Sequence, residues 1–149
     1  MPRKELKYPH QIISWLREWG QRLSEPAGMT LIGSAGLLFH IARIGRDDPL
    51  PENSMDADPV TDSDAVAELA YDSLIGSAFE QEHGWHVNLM PAMVLSHLPV
   101  DWKERAATAT YGRLTVTVPA VADLLVPKLQ RNEPRDRQHA DLARSLGLI

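Results

Sequence analysis

The chain has 149 residues, a hydrophobic share of 44%, a charged share of 23% and a formal net charge of −5. That length suits one domain, able to bury roughly 68–70% of its unfolded surface without staples, and the absence of cysteine excludes disulfides and thiolate metal sites. The acidic balance argues against general duplex nucleic-acid binding, which relies on phosphate neutralisation; no apolar run approaches the roughly 20 residues of a membrane helix and Met1–Glu5 lacks a signal-peptide core, so a cytoplasmic protein without a membrane partner is expected.

In chain order, Tyr8 to Leu23 reads as a helix, with Ile12, Ile13, Leu16, Trp19 and Leu23 at helical spacing and Pro9 in its first turn. Ser24 to Gly28 breaks it. Thr30 to Gly33 reads as a short buried strand, and Ser34 or Ala35 to Ile44 as a helix closed by Gly45. A polar loop with two prolines, Arg46 to Met55, leads into an Asp56–Val60 strand, whose Pro59 predicts a place near a sheet edge or at the strand's end.

Thr61-Asp62-Ser63-Asp64 is a helix-start cluster, and Ala65 to about Phe79 carries an apolar stripe of Val66, Leu69, Ala70, Leu74 and Phe79. Trp85 to Met90 and Leu114 to Val118 read as strands. Leu98 to Trp102 reads as a loop, and Lys103 to Ala109 carries no clear signal. Ala120 to Gln130 reads as a helix that Pro127 should kink or break. Arg135 to Leu146 reads as the closing helix, with Gly147 as its stop.

The order predicts an α/β (α+β) fold, a small mixed β-sheet flanked by helices. It is one domain over residues 1–149: an N-terminal helix to 28, a sheet core over 29–118 and C-terminal helices over 119–149.

Two signals carry chemistry. Asp56 and Asp58, at i and i+2 on a strand, point to one face and concentrate the negative charge a hard divalent cation needs. Gly33-Ser34, between a strand and a helix, offers backbone N–H groups and a positive dipole end to a phosphate. Each has a plain structural reading too: Gly-Ser turns are common in α/β proteins, and the two aspartates fit solvated carboxylates leaving a proline-rich loop. The run continues as D-A-D-P-V-T-D-S-D, but a calcium loop needs Gly sixth and Glu twelfth, where Thr61 and Ala67 stand. Asp62 and Asp64 are better explained by helix capping. His83 and His86, with Glu82, suggest zinc, but a strand or turn does not bring an i, i+3 pair together as a helix would, so they read as structural or surface residues. Arg131, Arg135 and Arg137 form either a basic rim for a phosphate or ion pairs with Glu133, Asp136 and Asp141. The four tryptophans read as core or interface residues.

The order strand, Gly-Ser, helix, loop, Asp-x-Asp strand, helix, strand resembles the nucleotidyltransferase fold of the polymerase-β superfamily. Four further segments sharpen the likeness: His83-Gly84-Trp85-His86-Val87-Asn88, Leu98-Pro99-Val100-Asp101-Trp102-Lys103-Glu104-Arg105, Val121 to Leu129, and Arg135-Asp136-Arg137-Gln138-His139. These resemble a bacterial group of small nucleotidyltransferase-like proteins related to AbiEii-type toxins of toxin–antitoxin systems. The resemblance covers roughly Met29 to Ile149.

It implies that Gly33 and Ser34 hold nucleotide phosphates and that Asp56 and Asp58 bind Mg²⁺. A third carboxylate is expected on the Trp85–Met90 strand, where Asn88 stands. Asparagine can coordinate through its carbonyl oxygen, but it cannot accept a proton as a general base. It also removes a negative charge from a site where two cations about 3.5–4 Å apart would sit. Lys128, Arg135 and Asp136 occupy positions that line the nucleotide site in AbiEii-like proteins, and His139 stands where a second acid often appears. The implied function is Mg²⁺-dependent transfer of a nucleotide from a nucleoside triphosphate to an acceptor hydroxyl on protein or RNA, within a toxin–antitoxin-like setting. The alternative is a catalytically degenerate copy of that fold acting as a nucleotide- or protein-binding module, with a partner protein or a homo-oligomer.

Overall fold

The structure, a computed structural model, describes residues 5–51 and 54–149. Residues 1–4, part of the stretch read for a signal core, and residues 52–53 of the loop before Asp56 lie outside the described residues.

Helix α1 spans Pro9–Arg22, and the Gln11 side chain closes its first turn by accepting the Tyr8 N–H at 2.8 Å. Strand β1 (Ala27–Ile32) runs directly into α2 (Gly33–Arg43). Then come β2 (Asp56–Val60), α3 (Asp64–Tyr71), α4 (Ala78–His83) and the two-residue β3 (His86–Val87). A 3-10 helix (Ala92–His97) and the short α5 (Trp102–Arg105) precede β4 (Ala107–Tyr111) and β5 (Leu114–Val118), and α6 (Val121–Arg131) and α7 (Pro134–Ser145) close the chain.

The five strands form one mixed sheet in the order β3-β2-β1-β5-β4. β1 is parallel to β5 and antiparallel to β2, while β2 is parallel to β3. Alternation sets the faces. Met29, Leu31, Leu114, Val116 and Val118 are buried, whereas Thr30, Thr115 and Thr117 between them keep solvent contact. On the buried side α1 and α2 pack over the strands, and all four tryptophans are buried. Trp15 stands edge-on to both Trp19 and Trp85, with ring centroids 4.8 and 5.8 Å apart. The Gly20 surface of α1 meets the β4–β5 turn so closely that a Cβ there would lie 1.8 Å from the Tyr111 carbonyl oxygen. Among the described residues, no helix is long and apolar enough to cross a membrane.

The mixed α/β class and the small flanked sheet are as the sequence predicts. Four details differ. The helix expected over 65–79 is two, because Gly76 adopts φ +84° and Ser77 caps a new start by accepting the Glu80 N–H at 3.2 Å. The segment 107–109 belongs to a strand, β4, held to β5 across the Gly112 turn. α6 runs unbroken through Pro127, packed against α2 and α7.

The strand expected over 85–90 is regular only at His86–Val87, and Pro59 is the reason. The N–H groups of Asn88 and Met90 still donate to Ala57 and Pro59 carbonyls at 2.8 and 2.9 Å. Pro59 has no N–H to return toward Asn88, so the ladder becomes one-sided. β2 sits inside the sheet, between β3 and β1, and not at its edge; Pro59 stands instead at the end of its strand, the other expected place, where β3 gives out.

Candidate functional site

The antiparallel register of β1 and β2 places Asp58 opposite Ile32, the last residue before the turn into α2. Asp58 thereby lies against Gly33. That residue adopts φ +68°, in the left-handed region, and a Cβ on it would stand 3.0 Å from Asp58 Oδ2. Glycine serves both the turn and the close approach of the carboxylate. Asp56, two residues earlier on β2, shares the face. Among the described residues, no side chain caps the N-terminus of α2, so its first-turn N–H groups remain for other acceptors.

Asp58 is held in an unfavourable electrostatic position. Burial pushes its pKa up to about 7, the charge of Asp56 adds to the rise, and the nearby Asn88 amide and Lys128 charge oppose it. Among the described residues, its Oδ1 is buried without a hydrogen-bond partner. An unpartnered carboxylate oxygen beside a second carboxylate is what a cation would relieve.

Asp56, Asp58, Gly33 and Ser34 line one part of a cavity of about 540 Å³. Lys128, Arg131 and Arg135 line another part, contributed by α6 and the start of α7. This cationic end is organised from behind by Asp136. Its carboxylate is fully buried, accepting from Arg131 Nη2 at 2.6 Å and Nε at 3.0 Å, and from the Glu133 N–H at 3.2 Å. The bidentate Arg131 pair, helped by the Glu133 N–H, pulls the Asp136 pKa down to about 2. Lys128 Nζ lies 4.0 Å from the same carboxylate, and burial lowers its pKa. His139 is 1% exposed, with both ring nitrogens unpartnered. Burial first, then the charges of Lys128 and Arg135, lower its pKa to about 4.

Two ties fix α6, which carries Lys128. Arg105 grips the buried Asp123 with two hydrogen bonds of 2.9 Å, and His40 on α2 bonds the Pro119 carbonyl oxygen at 2.7 Å.

The structure thus brings Gly33, Ser34, Asp56, Asp58, Lys128 and Arg135 to one cavity. Asp136 and Asn88 stand apart from its lining. Asp136 orients Arg131, and Asn88 lies beside Asp58 with its amide 3.4 Å from Met90 Sδ. Among the described residues, no three His, Asp or Glu side chains gather as metal ligands. His83 packs against Phe79 with ring centroids 4.3 Å apart and planes tilted by 40°, and His86 Nδ1 lies 3.0 Å from Glu80 Oε2, both away from the cavity lining.

Sequence reasoning missed the contribution of the segment after Asn88: Met90, Val94, His97 and Leu98 line the cavity too. Met90 reads as the end of the expected 85–90 strand, and the others have as their sequence signal a short run of apolar residues after Pro91, which no periodicity distinguishes from a loop. No family model, no curated protein and no solved structure matches this chain.

Proposed function

We propose that the chain is a Mg²⁺-dependent nucleotidyltransferase-like protein that moves a nucleotide from a nucleoside triphosphate to an acceptor hydroxyl. One observation carries the reading: an Asp-x-Asp pair set against a Gly-Ser helix start in a cavity that Lys128, Arg131 and Arg135 also line. Mg²⁺ is usually held by one or two carboxylates together with substrate phosphates, so Asp56 and Asp58 suffice without a closed protein cage. When bound, the ion supplies neutralisation of phosphate charge.

The chain's own groups do the rest. The N–H groups at Gly33 and Ser34 cradle phosphate oxygens, and the three cations hold the remaining phosphate charge. The acceptor oxygen attacks the α-phosphorus, and the bond to the departing pyrophosphate breaks in line. Asn88 cannot take the acceptor's proton, which passes to water or to another carboxylate.

Calorimetry with Mg²⁺ and a non-hydrolysable nucleoside triphosphate tests the site. Asp56→Ala should abolish the binding seen with the unaltered chain; unchanged binding refutes the assignment. Asn88→Asp restores a third acid and should raise any transfer rate about a hundredfold or more, the usual contribution of a general base.

A second reading has an observation of its own. Asn88 and the lack of a third acidic ligand among the described residues favour a fold that binds a nucleotide or a protein without turning over. It predicts no transfer by Asn88→Asp and a stable partner or self-association detectable by light scattering.

A further inference from the structure

The chemistry above uses only the charged parts of the cavity. The same cavity also carries an apolar lining assembled from two elements. Met90, Val94 and Leu98 come from the chain around the 3-10 helix, and Leu124 and Pro127 come from α6. A triphosphate and its metal are charged throughout and would leave this surface facing nothing it can pair with. An apolar wall sharing a cavity with cations and carboxylates fits a ligand that is anionic at one end and flat and weakly polar at the other.

The wall also begins close to the acidic pair. Met90 Sδ is 3.4 Å from the amide of Asn88, and Asn88 stands beside Asp58. A group one sugar ring away from a phosphate held at Asp58 would reach it.

We propose that this wall seats the nucleobase by enclosure and discriminates little between bases, an inference that rests on the nucleotide reading above. Two observations favour weak discrimination. Among the described residues, no asparagine or glutamine lines the cavity, so no described side-chain amide offers its paired donor and acceptor there. Two of the apolar lining residues, Met55 and Met90, are methionines, whose flexible, polarisable thioethers suit aromatic partners of varied shape. His97 adds a ring at the same cavity on which a base can stack.

The test compares the full chain's affinity, in Mg²⁺, for inorganic tripolyphosphate and for non-hydrolysable analogues of the four common nucleoside triphosphates. The analogues should bind about tenfold or more tighter than tripolyphosphate, the scale of one stacked base, and lie within about fivefold of one another. Val94→Asn and, separately, Met90→Gln should remove most of that advantage while leaving tripolyphosphate affinity unchanged. The unchanged tripolyphosphate affinity itself reports that either variant has folded.

Equal affinity for tripolyphosphate and the analogues overturns the base seat but leaves the phosphate site standing; the wall would then serve an apolar acceptor or a partner segment. Preference for one base by more than about fivefold overturns permissive seating. Failure of both ligand types to bind removes the nucleotide reading itself, and this inference with it.

Discussion

The acidic and the cationic sides of the cavity lining hold their charges by opposite means. At the acidic end Asp56 and Asp58 sit close together on one strand, with Oδ1 of Asp58 buried and unpartnered. At the cationic end the buried Asp136 is fully engaged, gripping Arg131 and standing 4.0 Å from Lys128. The first arrangement stores electrostatic strain that a bound cation would relieve; the second has its counter-charges built in. The difference teaches that an acidic side chain in this fold can be a liability or a support. Which it is depends on whether a cation was folded in beside it.

The largest expected effect lies at the cationic end. Asp136→Ala leaves Arg131 and Lys128 without their buried counter-charge and removes a reciprocal cap of α7. It should cost about 3 kcal/mol in urea unfolding. A loss under about 1 kcal/mol would mean that Asp136 is not the organiser of that end.

His139 probes the same end through pH. Its folded pKa, about 4, lies below the ordinary value near 6.5. As pH falls between these values the unfolded chain takes up the proton first, so stability contributed at neutral pH is lost from about 6.5 down to 4. His139→Leu should remove about 2 kcal/mol of that loss, read as a flatter stability profile over this window.

The acidic end should behave with the opposite sign. Asp58 holds its proton up to about pH 7 in the folded chain but only to about pH 4 unfolded. Stability therefore falls as pH rises through that window. Asp58→Asn should stabilise the metal-free protein by between about 1 and 2 kcal/mol at pH 8, and not below pH 4. The same substitution should weaken Mg²⁺ binding. Destabilisation at pH 8 would break the contrast between the two ends.

Much of this arrangement can be read before folding. The Gly33-Ser34 turn and the Asp56–Val60 strand fall within a residue or two of their expected places, since a strand–turn–helix and an i, i+2 pair are local patterns. The closing helices are also local, set by apolar spacing and by Gly147, which adopts φ +73°. β4 was hidden because Ala-Thr-Ala-Thr-Tyr has little hydrophobic contrast, and its partner across the turn supplies what its own pattern lacks. The 65–79 segment carries an unbroken apolar stripe, yet Gly76 and the Ser77 cap end one helix and begin another.

The cationic end was only partly legible. Lys128, Arg131 and Arg135 are visible as charges, but surface cations and site cations look alike in a sequence. Asp136 reads equally well as a ligand-facing residue, and only its complete burial against Arg131 shows that it acts behind the cavity wall.

The sequence alone determined the class of the fold, the Gly-Ser turn, the Asp-x-Asp pair and the asparagine that follows them, because these depend on neighbours within a few residues. Tertiary structure alone decided that the turn and the pair share a cavity with cations from the far end of the chain. It also decided that the segment after Asn88 supplies an apolar wall there. Register between strands and the packing of α6 on α2 set those distances, and neither is written in any local pattern.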